Sequence, residues 1–164
     1  MRYEYTYRNT PGDYWRFYMS NIYHQWTAVV NIVFTLAALV LIIARWRGAH
    51  PILQGLMALA FLLFPALQPL AVYLRSRRQA AAIREDTTLT IEDGGFGIRV
   101  RVHRQKILWK DFHGAMSRAG LIVLMPDEIH AYLLPDRVTG GDREKLVQDL
   151  KRVLPPEADH LKTT

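Results

Sequence analysis

Apolar and polar positions follow three different rhythms along this chain. From Thr27 to Leu74 the only charged side chains are Arg45 and Arg47, and both fall between two continuous apolar runs, 27–44 and 52–74. At roughly 1.5 Å per residue these runs make helices of about 27 and 34 Å. A bilayer hydrocarbon core is about 30 Å thick, so each run can cross it, the longer one with tilt. A chain this short has no second layer to cover two helices that are apolar all round. The pattern therefore predicts a membrane hairpin: transmembrane helix 27–44, a short loop 45–51, and transmembrane helix 52–74. The first run ends at Arg45-Trp46-Arg47, without a small-residue cleavage site, which argues against a signal peptide.

Before the hairpin the rhythm has period two. In Arg2-Tyr3-Glu4-Tyr5-Thr6-Tyr7-Arg8, tyrosines alternate with polar residues, which predicts a strand with one aromatic face. Thr10-Pro11-Gly12-Asp13 then reads as a helix start, with Thr10 as cap, Pro11 at the first helical position and Asp13 three residues after the cap. Trp15, Tyr18, Met19, Ile22 and Trp26 share one helical face, as expected of an interfacial amphipathic helix running into the first span. Residues 1–26 thus form a strand plus this helix.

After the hairpin, residues 75–86 form a basic juxtamembrane linker that extends the second helix. Period two then returns. Thr87–Glu92 ends in the hairpin-turn signal Asp93-Gly94-Gly95. Phe96–His103 alternates, with Ile98, Val100 and Val102 on one face and Arg99, Arg101 and His103 on the other. Short strands follow at 105–109, 112–117, 121–125 and 129–134. An amphipathic helix, 142–154, is stopped by Pro155-Pro156. The expected fold class is a two-helix membrane hairpin plus a small α+β domain, 87–155, in which an antiparallel curved sheet is closed by a C-terminal helix. Residues 156–164 are a tail, and the strand at 2–8 is available to extend the sheet.

Charge sharpens the picture. The chain carries a net +6, of which residues 1–84 contribute +7 and residues 85–164 contribute −1. The basic excess thus flanks the hairpin. It fits anionic lipid and topology better than nucleic acid. Arg75, Arg77, Arg78 and Arg84 follow the second span, and Arg2, Arg8 and Arg16 precede the first. The positive-inside rule then places both termini in the cytoplasm of a multi-pass inner-membrane protein. Asn31, Gln54 and Gln68 at membrane depth read as interhelical hydrogen-bonding groups, and Pro65 with Pro69 predicts a kink in the second helix.

Candidate chemistry is sparse. There are no cysteines. Among the six histidines, His103, His113 and His130 come nearest to metal-ligand spacing, and they read as ordinary solvated or hydrogen-bonded side chains. Gly94-Gly95-Phe96-Gly97 lies between strands, with no helix start to hold a phosphate. No nucleophile elbow is present. The expectation is a non-enzyme without cofactor or metal. Trp109 reads as core, and Arg137 as a structural partner of Asp136 or of the Asp111 region. The candidate binding residues are electrostatic: Arg75, Arg77 and Arg78 beside the bilayer, and Arg99, Arg101, Arg104 and Lys106 on the strands.

Several short segments together resemble a known family. They are Tyr3-Glu4-Tyr5, the Thr-Pro-x-Asp-Tyr helix start, the two-helix hairpin, Gly95-Phe96-Gly97, Leu108-Trp109-Lys110-Asp111-Phe112, Tyr132-Leu133-Leu134-Pro135-Asp136-Arg137 and the terminal helix. In this order the chain resembles the YcxB-like bacterial membrane proteins, whose C-terminal domain is similar to a pleckstrin-homology (PH-like) fold. The resemblance implies a fold and a location, and no reaction. The leading expectation is a membrane protein whose cytoplasmic domain binds lipid headgroups or a protein partner. An immunity-type protein that blocks a toxin at the envelope and a homo-oligomeric channel or scaffold are the alternatives.

Overall fold

The computed structural model describes residues 1–24, 26–83, 85–100 and 103–161. Strand β1 (Arg2–Tyr7) leads into helix α1 (Pro11–His24), and helix α2 (Thr27–Arg45) forms the first apolar rod. After a tight turn at Trp46–Gly48, helix α3 (Pro51–Leu62), a π segment (Leu63–Leu67) and helix α4 (Gln68–Ala82) make one continuous rod of 32 residues. That is about 48 Å of helix, well beyond the span needed for a bilayer core. The predicted helical extension is therefore present past Arg75, Arg77 and Arg78, as far as Ala82. The π segment surrounds Pro65, which has no N–H to give to the carbonyl four residues back, and the ladder widens there instead of breaking.

Both rods are long and apolar enough to cross a membrane, and little of either is buried against the rest of the protein. They meet each other through Asn31, whose Nδ2 donates to Gln68 Oε1 at 3.0 Å, and through an edge-to-face contact of Phe34 with Phe64. Gln54 lies at the turn and donates to the Trp46 carbonyl instead of reaching across the pair.

The remaining strands form two sheets, not the single sheet expected. Strands β2 (Thr87–Glu92), β3 (Gly95–Val100) and β4 (His103–Ile107) join β1 in the order β1-β2-β3-β4, all antiparallel. Strands β5 (Gly114–Arg118), β6 (Leu121–Met125) and β7 (Tyr132–Pro135) form the second sheet. The chain then passes through α5 (Asp136–Thr139) and α6 (Arg143–Val153) to a short β8 (Asp159–His160), which pairs in parallel with β5. Several boundaries differ from the sequence reading, and the residues read as a tail from 156 instead carry β8 and bury Ala158 and Leu161 in the core. Trp109 sits in a helical turn (Trp109–Asp111) between the sheets, and not in a strand. Ile129 is exposed before β7 begins, because the Asp127 carboxylate ties up the backbone N–H groups of Ile129 and His130 in a turn. The strand read as 96–103 ends at Val100, and His103 lies opposite Val100 on the next strand.

The two inner faces and α6 enclose one core. Phe96, Leu89 and Ile91 from the first sheet, Ile122, Leu124 and Leu134 from the second, and Leu146 and Leu150 from α6 are all fully buried. Trp109 packs against Phe96 and Phe112, and its indole N–H donates to the Glu92 carbonyl at 2.8 Å, which joins the helical turn to the first sheet. On the outer face of the second sheet, Leu121, Val123 and Leu133 pack against Tyr14 of α1 and Ala80 of α4. The layers therefore run first sheet, core with α6, second sheet, then α1 with α4.

Candidate functional site

The outer face of the first sheet is polar because side chains alternate across a strand. Tyr3, Tyr5 and Tyr7 point inward, so Arg2, Glu4 and Thr6 point outward. In register with them stand Thr88, Thr90 and Glu92 on β2, Gly97 and Arg99 on β3, and Arg104 and Lys106 on β4. All of these except Thr6 and Thr88 line a shallow cleft of about 280 Å³. Glycine forms its floor. A Cβ at Gly97 would come within 3.3 Å of the Thr90 Cβ, and one at Gly95 within 2.4 Å of the Ile107 carbonyl oxygen. Gly95 also sits at φ +150°, a backbone conformation that side-chain-bearing residues rarely adopt.

The charges around the floor are only partly balanced. Arg2 and Lys106 approach Glu92 at 3.7 and 3.5 Å, and Arg99 approaches Glu4 at 3.7 Å. All three are long, exposed contacts of the kind worth at most about 1 kcal/mol, and a ligand can displace them. Arg99 lies directly opposite Arg104 in the β3–β4 register. Like charges so placed destabilise a sheet.

Of the residues singled out from the sequence, Arg99, Arg104 and Lys106 are brought together here. Arg101 and Arg84 lie outside the described residues. The expected face of Arg99, Arg101 and His103 does not form as one strand, because the chain has crossed to β4 by His103. Arg75, Arg77 and Arg78 are exposed on α4, which packs on the far side of the second sheet. The two basic groups therefore occupy different faces of the molecule. Arg75 stacks over the Tyr18 ring at 5.3 Å, and Tyr18 donates to Gln79 Oε1 at 2.6 Å. Arg77 borders a groove with Arg8 and Asn9. Sequence reasoning missed Arg2, Glu4, Thr90 and Glu92 as members of the cleft. The register of the β2–β3 hairpin was the signal for Thr90 and Glu92, and adding β1 to that sheet the signal for Arg2 and Glu4.

The junction between α1 and the domain is held by an ion pair that the sequence assigned differently. Arg137 pairs with neither Asp136 nor Asp111. Its guanidinium donates to Asp13 Oδ2 at 2.7 Å and to the Arg8 carbonyl at 2.8 Å. Asp136 instead takes Arg143, which also reaches Ser117. Asp13 is buried and doubles as the predicted capping-box residue, accepting from the Thr10 N–H and hydroxyl while its own N–H donates to Thr10. Burial pushes the Asp13 carboxyl up, but the bonds from Arg137 and Thr10 outweigh that and hold it below the usual carboxylate range. Nearby, Tyr7 donates to the Leu133 carbonyl, and burial raises its phenol far above the ordinary value.

His130 pairs locally with Asp127 at 2.8 Å. Among the described residues no group of three or more His, Asp or Glu side chains is arranged to hold a metal ion. Comparison with known protein families, characterised proteins and solved structures found no match.

Proposed function

We propose that this chain is a two-span membrane protein that holds its β domain at the cytoplasmic surface as a binding module for a phosphate-bearing ligand. Two observations support a bilayer location for the hairpin. Its apolar side chains point outward along both rods, and aromatic residues stand exposed at their ends: Tyr23, Trp26 and Tyr73 at one end, Trp46 at the other. The rods carry Arg45 and Arg47 at the turn and Arg75, Arg77 and Arg78 on the other side, which favours cytoplasmic termini. The YcxB-like resemblance and the PH-like description belong to this reading, and two sheets closed by α6 are compatible with them.

The binding role rests on one observation: Arg99 and Arg104 are placed opposite each other beside a glycine floor, at a cost to the sheet. A bound oxyanion removes that cost. Arginine is suited to it, because its planar fork meets phosphate oxygens two at a time. Thr90 and Lys106 lie within the same cleft. Binding, and not catalysis, is the role that exposed cations on a rigid sheet support.

The test is a titration of the full chain in detergent micelles with pyrophosphate, followed by amide chemical shifts. Shifts centred on Gly97, Arg99 and Arg104 are expected, with affinity falling at least tenfold in the double variant Arg99→Ala, Arg104→Ala. Binding that is unchanged in the double variant contradicts the reading.

A further inference from the structure

The cleft of the first sheet runs to an open edge. β4 pairs with β3 on one side, and among the described residues no strand pairs with it on the other. Such an edge presents a row of backbone N–H and C=O groups able to receive a further strand. Arg104 and Lys106 are exposed on it and line the cleft.

The core face of β4 is open at the same place. Gln105 stands opposite the buried Ile98, so it lies on the face that packs the core. Ile107, two residues on, packs against that core, whereas Gln105 is exposed. Beside Gln105, the side chains of Ile98, Val100 and Tyr132 line a cavity of about 450 Å³. Gln105 borders both this cavity and the cleft, so the two meet along β4. A strand added to β4 sends alternate side chains to opposite faces. One set comes beside Arg104 and Lys106, and the other faces the apolar cavity.

Charge narrows the occupant. β4 reads His103-Arg104-Gln105-Lys106-Ile107 and contains no acid. Pairing with β4 of a second copy sets cations against cations, which destabilises a strand pair. The occupant must bring negative charge to the outer face and an apolar side chain to the inner one. A lipid phosphate brings the charge but no backbone to pair with the edge. The cleft also lies across the core and the second sheet from α1 and α4. At ordinary strand spacing Arg99 stands about 10 Å from an added strand, a distance that a guanidinium arm and a phosphorylated side chain cover together.

We propose that the phosphate-bearing ligand is a phosphorylated protein segment that adds to β4 as an extended strand, with its phosphate on Arg104 and Arg99 and an apolar neighbour in the cavity beside Gln105. This inference rests on the cleft reading above and names the class of its ligand. Backbone pairing supplies affinity, and the two faces of the added strand supply specificity.

The test titrates the full chain in detergent micelles with pyrophosphate, with a short peptide in which valine alternates with glutamate around a central phosphothreonine, and with the same peptide N-methylated along its backbone. N-methylation removes the strand-pairing donors and leaves the charge unchanged. The phosphopeptide is expected to bind roughly tenfold more tightly than pyrophosphate, a factor that one or two net backbone hydrogen bonds supply. It should also slow amide exchange over residues 104–106, which pyrophosphate does not. The N-methylated peptide should fall back to the affinity of pyrophosphate, and the peptide without its phosphate should lose most of its binding. A phosphopeptide that binds no more tightly than pyrophosphate, or equally well when N-methylated or unphosphorylated, overturns the proposal while pyrophosphate binding keeps the cleft reading in place. A soluble short-chain phosphatidylglycerol that binds more tightly than the phosphopeptide assigns the cleft to lipid and overturns it too. If neither pyrophosphate nor the phosphopeptide binds, the cleft reading falls, and this proposal with it.

Discussion

The hairpin and the domain core use the same apolar side chains in opposite surroundings. Leu121, Leu124 and Leu134 in the domain have no exposed surface, whereas Leu39, Leu53 and Leu56 in the hairpin keep between 37 and 56% of theirs. The domain builds its own apolar environment from two sheets and α6. The hairpin leaves most of its apolar surface outward, and that surface needs an apolar solvent supplied from elsewhere. Apolar composition alone therefore says little about burial; the number of layers available to cover an element decides it.

This contrast can be broken by substitution. The largest effect is expected in the core. Phe96 touches Trp109, Phe112 and Tyr132, so Phe96→Ala should cost about 3–5 kcal/mol of domain stability, read by chemical denaturation in micelles. A loss below about 1 kcal/mol would mean that the two sheets do not share a core. Next comes the junction. Asp13→Ala removes a helix cap and the partner of Arg137, and a loss of about 2 kcal/mol is expected, together with faster amide exchange at Tyr14 and Leu133. The same pair gives a pH signature. The folded Asp13 carboxyl lies below its unfolded value of about 3.9, so its contribution is present at neutral pH. It is lost as pH falls below about 4 through the folded value. Exchange at Tyr14 should rise in that window in the wild type and be insensitive to it in Asp13→Asn.

Smaller effects are expected inside the hairpin. Gln68→Leu removes the partner of Asn31 and should weaken helix pairing by about 0.6–2 kcal/mol, measured by thermal unfolding in bilayers. The smallest belongs to the outward leucines. Leu39→Val should change stability in a bilayer by less than about 0.5 kcal/mol, because lipid contacts either side chain equally well. A loss comparable to that of Phe96→Ala would place Leu39 in a protein interface.

Much of this architecture was legible from the residues. The two helices of the hairpin were visible because each apolar run is long and uninterrupted by charge. The capping box at Thr10 and Asp13 was visible because it is local. The inward tyrosines of β1 followed from period two. What the sequence did not show depended on long-range register. The division into two sheets turns on Trp109, which reads equally well as a strand residue or as a plug. The pairing of Asp13 with Arg137 joins positions 124 residues apart, and a nearer acid, Asp136, offered itself. The candidate cleft was half legible: Arg99, Arg104 and Lys106 are close in sequence, whereas Arg2 and Glu4 enter only through the pairing of β1 with β2. The break after Val100 was masked by an alternation that continues unchanged through 101–103.

The central claim is that the hairpin crosses a bilayer and leaves the β domain on the cytoplasmic side. The chain has no cysteine, so single cysteines report position without background. Gly48→Cys marks the helical turn, where a side chain meets nothing within 4 Å, and Glu128→Cys marks an exposed loop of the domain. In intact cells a membrane-impermeant thiol reagent should label the first and not the second, and after lysis it should label both. Equal labelling of the two sites before lysis, or labelling of the domain site alone, contradicts the account.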